Sequence, residues 1–98
     1  IYSASKAALH NFSKNLAREY GDRNITTNIL VPGFFPAEQN KKILSEERIK
    51  QIFSQTPMNR FGYPNELTGI VNLLVSDNSS FINGSELVID GGYCITKI

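Results

Sequence analysis

A chain of 98 residues is long enough for one small core that buries roughly 60–65% of the surface of its extended form, which excludes two independent cores. Hydrophobic residues make up 41% and charged residues 19%, with seven Gly and four Pro, a balance that excludes disorder, collagen and coiled coil. Ten Lys and Arg against nine Asp and Glu leave a net charge of +1, too little to draw the chain to a phosphate backbone or an anionic lipid surface, so neither nucleic acid nor membrane is an expected partner.

Taken in chain order, Ala4, Ala8, Leu9, Phe12, Leu16 and Tyr20 recur at steps of three and four, which predicts a helix from Ser3 to Tyr20 with one apolar stripe. Gly21 is placed to end it at C′ with positive φ. Ile25 to Val31 is rich in β-branched residues and runs into Pro32-Gly33, which predicts a buried strand feeding a turn. Phe34 to Asn40 has no period and is read as a loop or a short helix start, a segment free to carry function. Ser45 before Glu46 and Glu47 is an N-cap with acidic first-turn residues, and Ile49, Ile52 and Phe53 face one way, so a short helix ends before Thr56-Pro57.

Pro64 sits in the first turn of a further helix whose apolar face is Leu67, Ile70, Val71 and Leu74, up to Ser76-Asp77. After the turn-forming run 77–80 and the Asn83-Gly84 pair, Glu86 to Asp90 is a short strand closed by Gly91-Gly92. Two strands separated by long helical crossovers favour parallel pairing in an α/β architecture. They are too few to cover this much apolar helix surface, so the rest of the sheet is expected from further sequence or a partner chain, and the 98 residues alone are expected to be marginal. The chain opens at Ile1 with helix signals almost at once, so a longer polypeptide is expected. No apolar run reaches the roughly 20 residues of a membrane span, and no leader is visible. Cys94 is the only cysteine, which rules out an internal disulfide or thiolate metal cluster and points to a reducing, cytoplasmic compartment, with Cys94 as a small packing residue.

Tyr2 and Lys6 stand four apart at the head of the first helix, which puts their Cβ atoms about 5–6 Å apart on one face. A phenol with pKa near ~10 is a poor acid–base catalyst at neutral pH, and an adjacent ammonium favours the phenolate. The spacing is not specific, because Tyr93 and Lys97 repeat it. That second pair follows Gly91-Gly92, where an extended backbone would hold the two residues roughly 13 Å apart, and it is rejected as catalytic.

Context sets the first pair apart. Tyr2-Ser3-Ala4-Ser5-Lys6-Ala7-Ala8 resembles the active-site segment of the short-chain dehydrogenase/reductase family, and four more stretches resemble that family in order: Leu16 to Gly21; Ile25 to Gly33; Pro57-Met58-Asn59-Arg60-Phe61-Gly62-Tyr63-Pro64-Asn65-Glu66, a P-x-x-R-x-G-x-P-x-E segment; and Ser76 to Gly84 followed by Val88 to Gly92. The resemblance covers essentially the whole chain. It implies the C-terminal segment of a single domain, residues 1–98, with a Rossmann-like doubly wound parallel sheet whose dinucleotide-binding N-terminal half lies outside this sequence.

It implies equally an NAD- or NADP-dependent oxidoreductase that interconverts an alcohol and a carbonyl. Tyr2 would be the general acid–base. Lys6 would lower the tyrosine pKa and hydrogen-bond the nicotinamide ribose, and Pro32, Gly33, Phe34, Phe35 and Ala37 would border the cofactor. Family members commonly form homotetramers or homodimers. Ala37 stands where the family often has a Thr contacting the nicotinamide carboxamide, so backbone groups are left for that contact. The Gly-rich phosphate loop, the residue that selects NAD or NADP and the catalytic Ser all lie upstream of the tyrosine in this family, so the chain by itself is expected to be inactive.

Phe34 and Phe35 give an apolar wall, and Glu38, Gln39 and Asn40 three hydrogen-bonding side chains, so Phe35, Glu38, Gln39 and Asn40 are the substrate candidates, suited to a polyhydroxylated substrate. The run PGFFPAEQN resembles members acting on sugar acids, such as D-mannonate oxidoreductases. Lys41, Lys42 and Arg60 are the cations available to a carboxylate. Two alternatives stand beside this one: a 3-oxoacyl carrier-protein reductase, and a non-catalytic truncated member kept for its oligomer surfaces. Gly62, Gly91 and Gly92 are read as turn glycines rather than a phosphate cradle, His10 as a surface or packing residue rather than a metal ligand, and Asp90 as a turn residue. No metal site is expected.

Overall fold

A computed structural model describes the backbone of Tyr2 and the whole of residues 3–37 and 41–95. Helix α1 covers Tyr2–Tyr20, strand β1 Ile29–Pro32, helix α2 Glu46–Gln55, helix α3 Asn65–Leu74 and strand β2 Glu86–Ile89. The two strands form a two-stranded sheet. The Ile29 N–H donates to Ser85 O and the Gly33 N–H to Ile89 O, both at 2.9 Å; an equal offset in the same chain direction makes the pairing parallel. The chain divides into two compact units, one of Ile1–Leu30 with Gly69–Leu87 and one of Val31–Thr68 with Val88–Ile98, and neither is a continuous stretch of sequence.

In the first unit, α1 runs on into a 3-10 turn, Gly21–Arg23, and the left-handed residue that ends it is Asn24 at φ 60°, not Gly21 as the sequence suggests. Asn tolerates this conformation because its short polar side chain suits the left-handed region, so the glycine is not needed for it. The strand begins at Ile29, four residues later than Ile25, because 27 and 28 bond to the loop before β2. Asn83 Oδ1 accepts the Thr27 N–H, the Gly84 N–H donates to Thr27 O, and Asn28 donates to Ile82 O and accepts from the Ser85 N–H. Asn83 Nδ2 also donates to Ala17 O on α1 at 2.9 Å. Ser79, 2% exposed, donates to both Leu74 O and Ser76 O, which folds the run 77–79 into a 3-10 turn.

In the second unit, Ser45 caps α2 by accepting the Arg48 N–H at 3.1 Å, and Glu46 and Glu47 occupy its first turn. The helix buries Ile52 and stops at Thr56, whose hydroxyl donates to Ile52 O. Phe53 meets Phe61 edge to face at 4.9 Å, and Phe34 meets Tyr93 in the same way at 5.1 Å. Met58 N–H donates to Gly91 O. Gly91 and Gly92 take φ 64° and 92°, the turn role expected of them. The chain turns through 93–95, with Tyr93 N–H on Asp90 O and Ile95 N–H on Gly92 O, so this stretch is not extended; Lys97 lies outside the described residues.

Candidate functional site

The first unit carries the Tyr2–Lys6 pair. Both residues fall within one unbroken helix, so the four-residue spacing is realised as one helical turn. Lys6 is exposed. Further along the same helix, His10 Nδ1 lies 3.0 Å and Lys14 Nζ 3.7 Å from Glu86 Oε1 at the start of β2. His10 is therefore a partly exposed surface residue with Glu86 as its partner, a contact that local spacing had no means to reveal. Among the described residues no group of three His, Cys, Asp or Glu side chains is placed to hold a metal.

The second unit carries the segment after β1. Gly33 is demanded by Asp90, the residue after β2: a Cβ there would come within 2.7 Å of Asp90 Cβ and 2.8 Å of its Cα. Asp90 in turn accepts the Gly92 and Cys94 N–H groups at 2.8 and 2.9 Å. Burial raises its carboxyl, but the hydrogen bonds from Cys94, Gly92 and Tyr93 outweigh that and hold it below the ordinary value. The same carboxylate, as hydrogen-bond partner, pushes the exposed Cys94 thiol up, away from the nucleophilic thiolate.

Arg60, one of the cations available to a substrate carboxylate, is already engaged. Its Nη1 and Nη2 bond Glu66 Oε1 and Oε2 at 2.7 and 2.9 Å, Nη1 also donates to Phe61 O, and the guanidinium stacks over Tyr63 at 5.2 Å. The Arg60 hydrogen bonds, with help from the Tyr63 N–H, hold the Glu66 carboxyl down at about 2. Lys42 is exposed and Lys41 half-buried. Glu38, Gln39 and Asn40 lie outside the described residues.

Gly62 does not take positive φ, unlike Gly91 and Gly92; it is a glycine because the Phe35 ring lies where its Cβ would be. The Gly62 N–H donates to Phe34 O at 2.9 Å. Around these aromatics are two cavities. One, of about 110 Å³, is walled by Phe34, Phe35, Thr56, Met58, Phe61 and Ile89, with the Arg60–Glu66 pair and Asp90 on its polar side. The other, of about 410 Å³ and more open, is lined by Gly33, Phe34, Phe35, Pro36, Ile43 and Leu44. Sequence reasoning passed over Ile43 and Leu44; an apolar residue just before an N-cap serine is the local signal that would have drawn notice to Leu44. Pro32, Gly33, Phe34, Phe35, Pro36 and Ala37 thus belong to one unit, and Tyr2 and Lys6 to the other.

Residues 1–94 match the family model described as Enoyl-(Acyl carrier protein) reductase. Over 91 residues the chain is 41% identical to the 3-oxoacyl-[acyl-carrier-protein] reductase FabG of Salmonella typhimurium, covering 93% of this chain and 37% of that protein. It spans well under half the length of the curated relatives it matches. Among solved structures it is similar to 4-hydroxyisoleucine dehydrogenase complexed with NADH, with a TM-score of 0.87 and 33% identity over 98% of this chain and 40% of that one. A protein assigned as a D-mannonate oxidoreductase from Haemophilus influenza, with bound NAD, has a TM-score of 0.84 and 37% identity over 94% of this chain and 35% of that one.

Proposed function

The chain belongs to the short-chain dehydrogenase/reductase family, and on that premise we propose that residues 1–98 are the C-terminal segment of an NAD(P)-dependent oxidoreductase interconverting an alcohol and a carbonyl. The observation that carries this reading is the unbroken helix on which Tyr2 and Lys6 stand one turn apart. When bound, the nicotinamide supplies or accepts the hydride. The residues present suit such a group. Pro32 ends β1, Gly33 follows it, and both lie at the carboxyl end of a parallel pair, where open parallel sheets take their ligands.

In the chemical step, Tyr2 exchanges a proton with the substrate oxygen and the Lys6 ammonium favours its phenolate. Lys6 would also hold the cofactor ribose. Pro32, Gly33, Phe34, Phe35 and Ala37 would border the nicotinamide, and, with Ala in place of Thr at 37, the carboxamide falls to backbone groups. In the intact protein, Tyr2→Phe is expected to lower turnover roughly a hundred- to ten-thousand-fold while cofactor binding, followed by NADH fluorescence, persists. Unchanged turnover would end the proposal, and absent cofactor binding in the folded wild type would favour the non-catalytic alternative.

For the substrate, a sugar acid or polyol is supported by the polar trio Glu38, Gln39 and Asn40 and by similarity to the assigned D-mannonate oxidoreductase. A 3-oxoacyl thioester is the second reading. It is favoured by the apolar lining of the open cavity, by the engagement of Arg60 with Glu66, and by similarity to FabG. A panel of keto sugar acids and 3-oxoacyl thioesters given to the intact enzyme decides between them. No helix among the described residues is long and apolar enough to cross a membrane. A cytoplasmic homotetramer or homodimer is the proposed state, supported by the exposed Leu9 and Phe12 on α1 and checked by light scattering.

A further inference from the structure

Phe34 and Phe35 are the two residues common to the linings of the smaller cavity and the larger, more open one. Their rings are held differently. Phe34 is packed edge to face on Tyr93, whereas the Phe35 ring lies in the space left by the missing Cβ of Gly62, with the backbone beside it tied by the bond from Gly62 N–H to Phe34 O. The smaller cavity, which Phe35 lines together with Met58, Phe61 and Ile89, has about 110 Å³ for a further apolar group.

We propose that Phe35 is a specificity-determining partition: its ring, seated on Gly62, separates the two cavities and so sets how long an unbranched apolar group the open cavity admits. The proposal rests on the reading that the open cavity receives the substrate. Removing the ring joins the two spaces into one channel with largely apolar walls, and each methylene that then leaves water against them gains about fourfold in affinity. The hydrogen bond from Gly62 survives that change because it is a backbone bond.

The test uses the intact protein. Straight-chain ketones of increasing length are reduced by wild type, Phe34→Ala and Phe35→Ala. In wild type kcat/KM is expected to stop rising where the chain meets the ring, and in Phe35→Ala it is expected to keep rising by about fourfold per added methylene for several more carbons. Phe34→Ala, which loses the Tyr93 contact instead, is expected to keep the wild-type length limit. A readout independent of turnover is the Tm shift given by straight-chain alcohols of increasing length, bound without cofactor: it is expected to level off in wild type at the same chain length and to keep growing in Phe35→Ala.

A third measurement serves if Phe35→Ala folds poorly. Gly62→Ala is expected to be destabilising with Phe35 present and to cost much less in the Phe35→Ala background, a coupling read from a double-mutant cycle. An unchanged length profile in Phe35→Ala, the same extension in Phe34→Ala, or additive Gly62 and Phe35 effects would each overturn the partition. Tm shifts that keep growing with alcohol length only in Phe35→Ala, in a protein that reduces no ketone and oxidises no alcohol, would instead overturn the oxidoreductase reading, with the cavity boundary intact.

Discussion

Glu66 accepts Arg60 through both oxygens and the Tyr63 N–H through Oε1 at 2.8 Å, so one carboxylate both orders the Arg60–Gly62 loop and satisfies a backbone donor just before α3. Its pKa is depressed in the fold to about 2, from an ordinary value near 4.5. Stability from a depressed carboxyl is whole above the ordinary value and is lost as pH falls through the folded one. Comparing Tm of the intact protein and its Glu66→Gln variant, the difference is expected to be constant at neutral pH, to shrink below about 4.5 and to vanish near 2. A difference that stays the same down to that pH would mean that the carboxylate's charge contributes nothing, as exposed ion pairs often do. The residue scale is also where glycine is explained by neighbours: Gly33 by Asp90, Gly62 by Phe35.

Among the elements, α2 is the one whose boundaries local chemistry states most directly. Ser45 accepts the Arg48 N–H, the acidic pair follows, and the helix stops at Thr56. Ser45→Ala in the intact protein is expected to lose about 1 kcal/mol, read as a lower urea midpoint, and Ser45→Asp to keep most of it. Equal loss in both variants would show that the cap contributes through something other than an accepting oxygen. Strand β1 behaves differently. Its β-branched run extends from Ile25, yet pairing starts at Ile29, because the side chains of Asn28 and Asn83 compete for the backbone groups that a longer strand would use.

The whole molecule has little buried apolar surface: among the described residues only Ala17 and Ile52 are buried hydrophobics, while Leu9, Phe12, Val75 and Phe81 are among the large exposed ones, Phe81 completely. A chain this short is marginal even with a good core. The 98 residues alone are expected to show no cooperative thermal transition as a monomer and to bind the apolar dye ANS, both readable by calorimetry and fluorescence. A sharp calorimetric transition from a monomer would count against the view that further sequence covers these faces.

Helix and strand identities, the cap at Ser45, the turn at Gly91-Gly92 and the Tyr2–Lys6 spacing were all legible from the chain, because each depends on residues within one or two turns of one another. The family followed from five such stretches in order. What the chain could not state was which distant groups meet: His10 with Glu86, Asn83 with Ala17 and Thr27, Gly33 with Asp90, Phe35 with Gly62. Local period and composition carry no record of those pairs. They arise only when the parallel pairing of β1 with β2 and the packing of the loops bring residues tens of positions apart into contact, and that is where the tertiary structure decided that Phe35 walls two cavities; Arg60, held by Glu66 six residues on, is by contrast a local engagement.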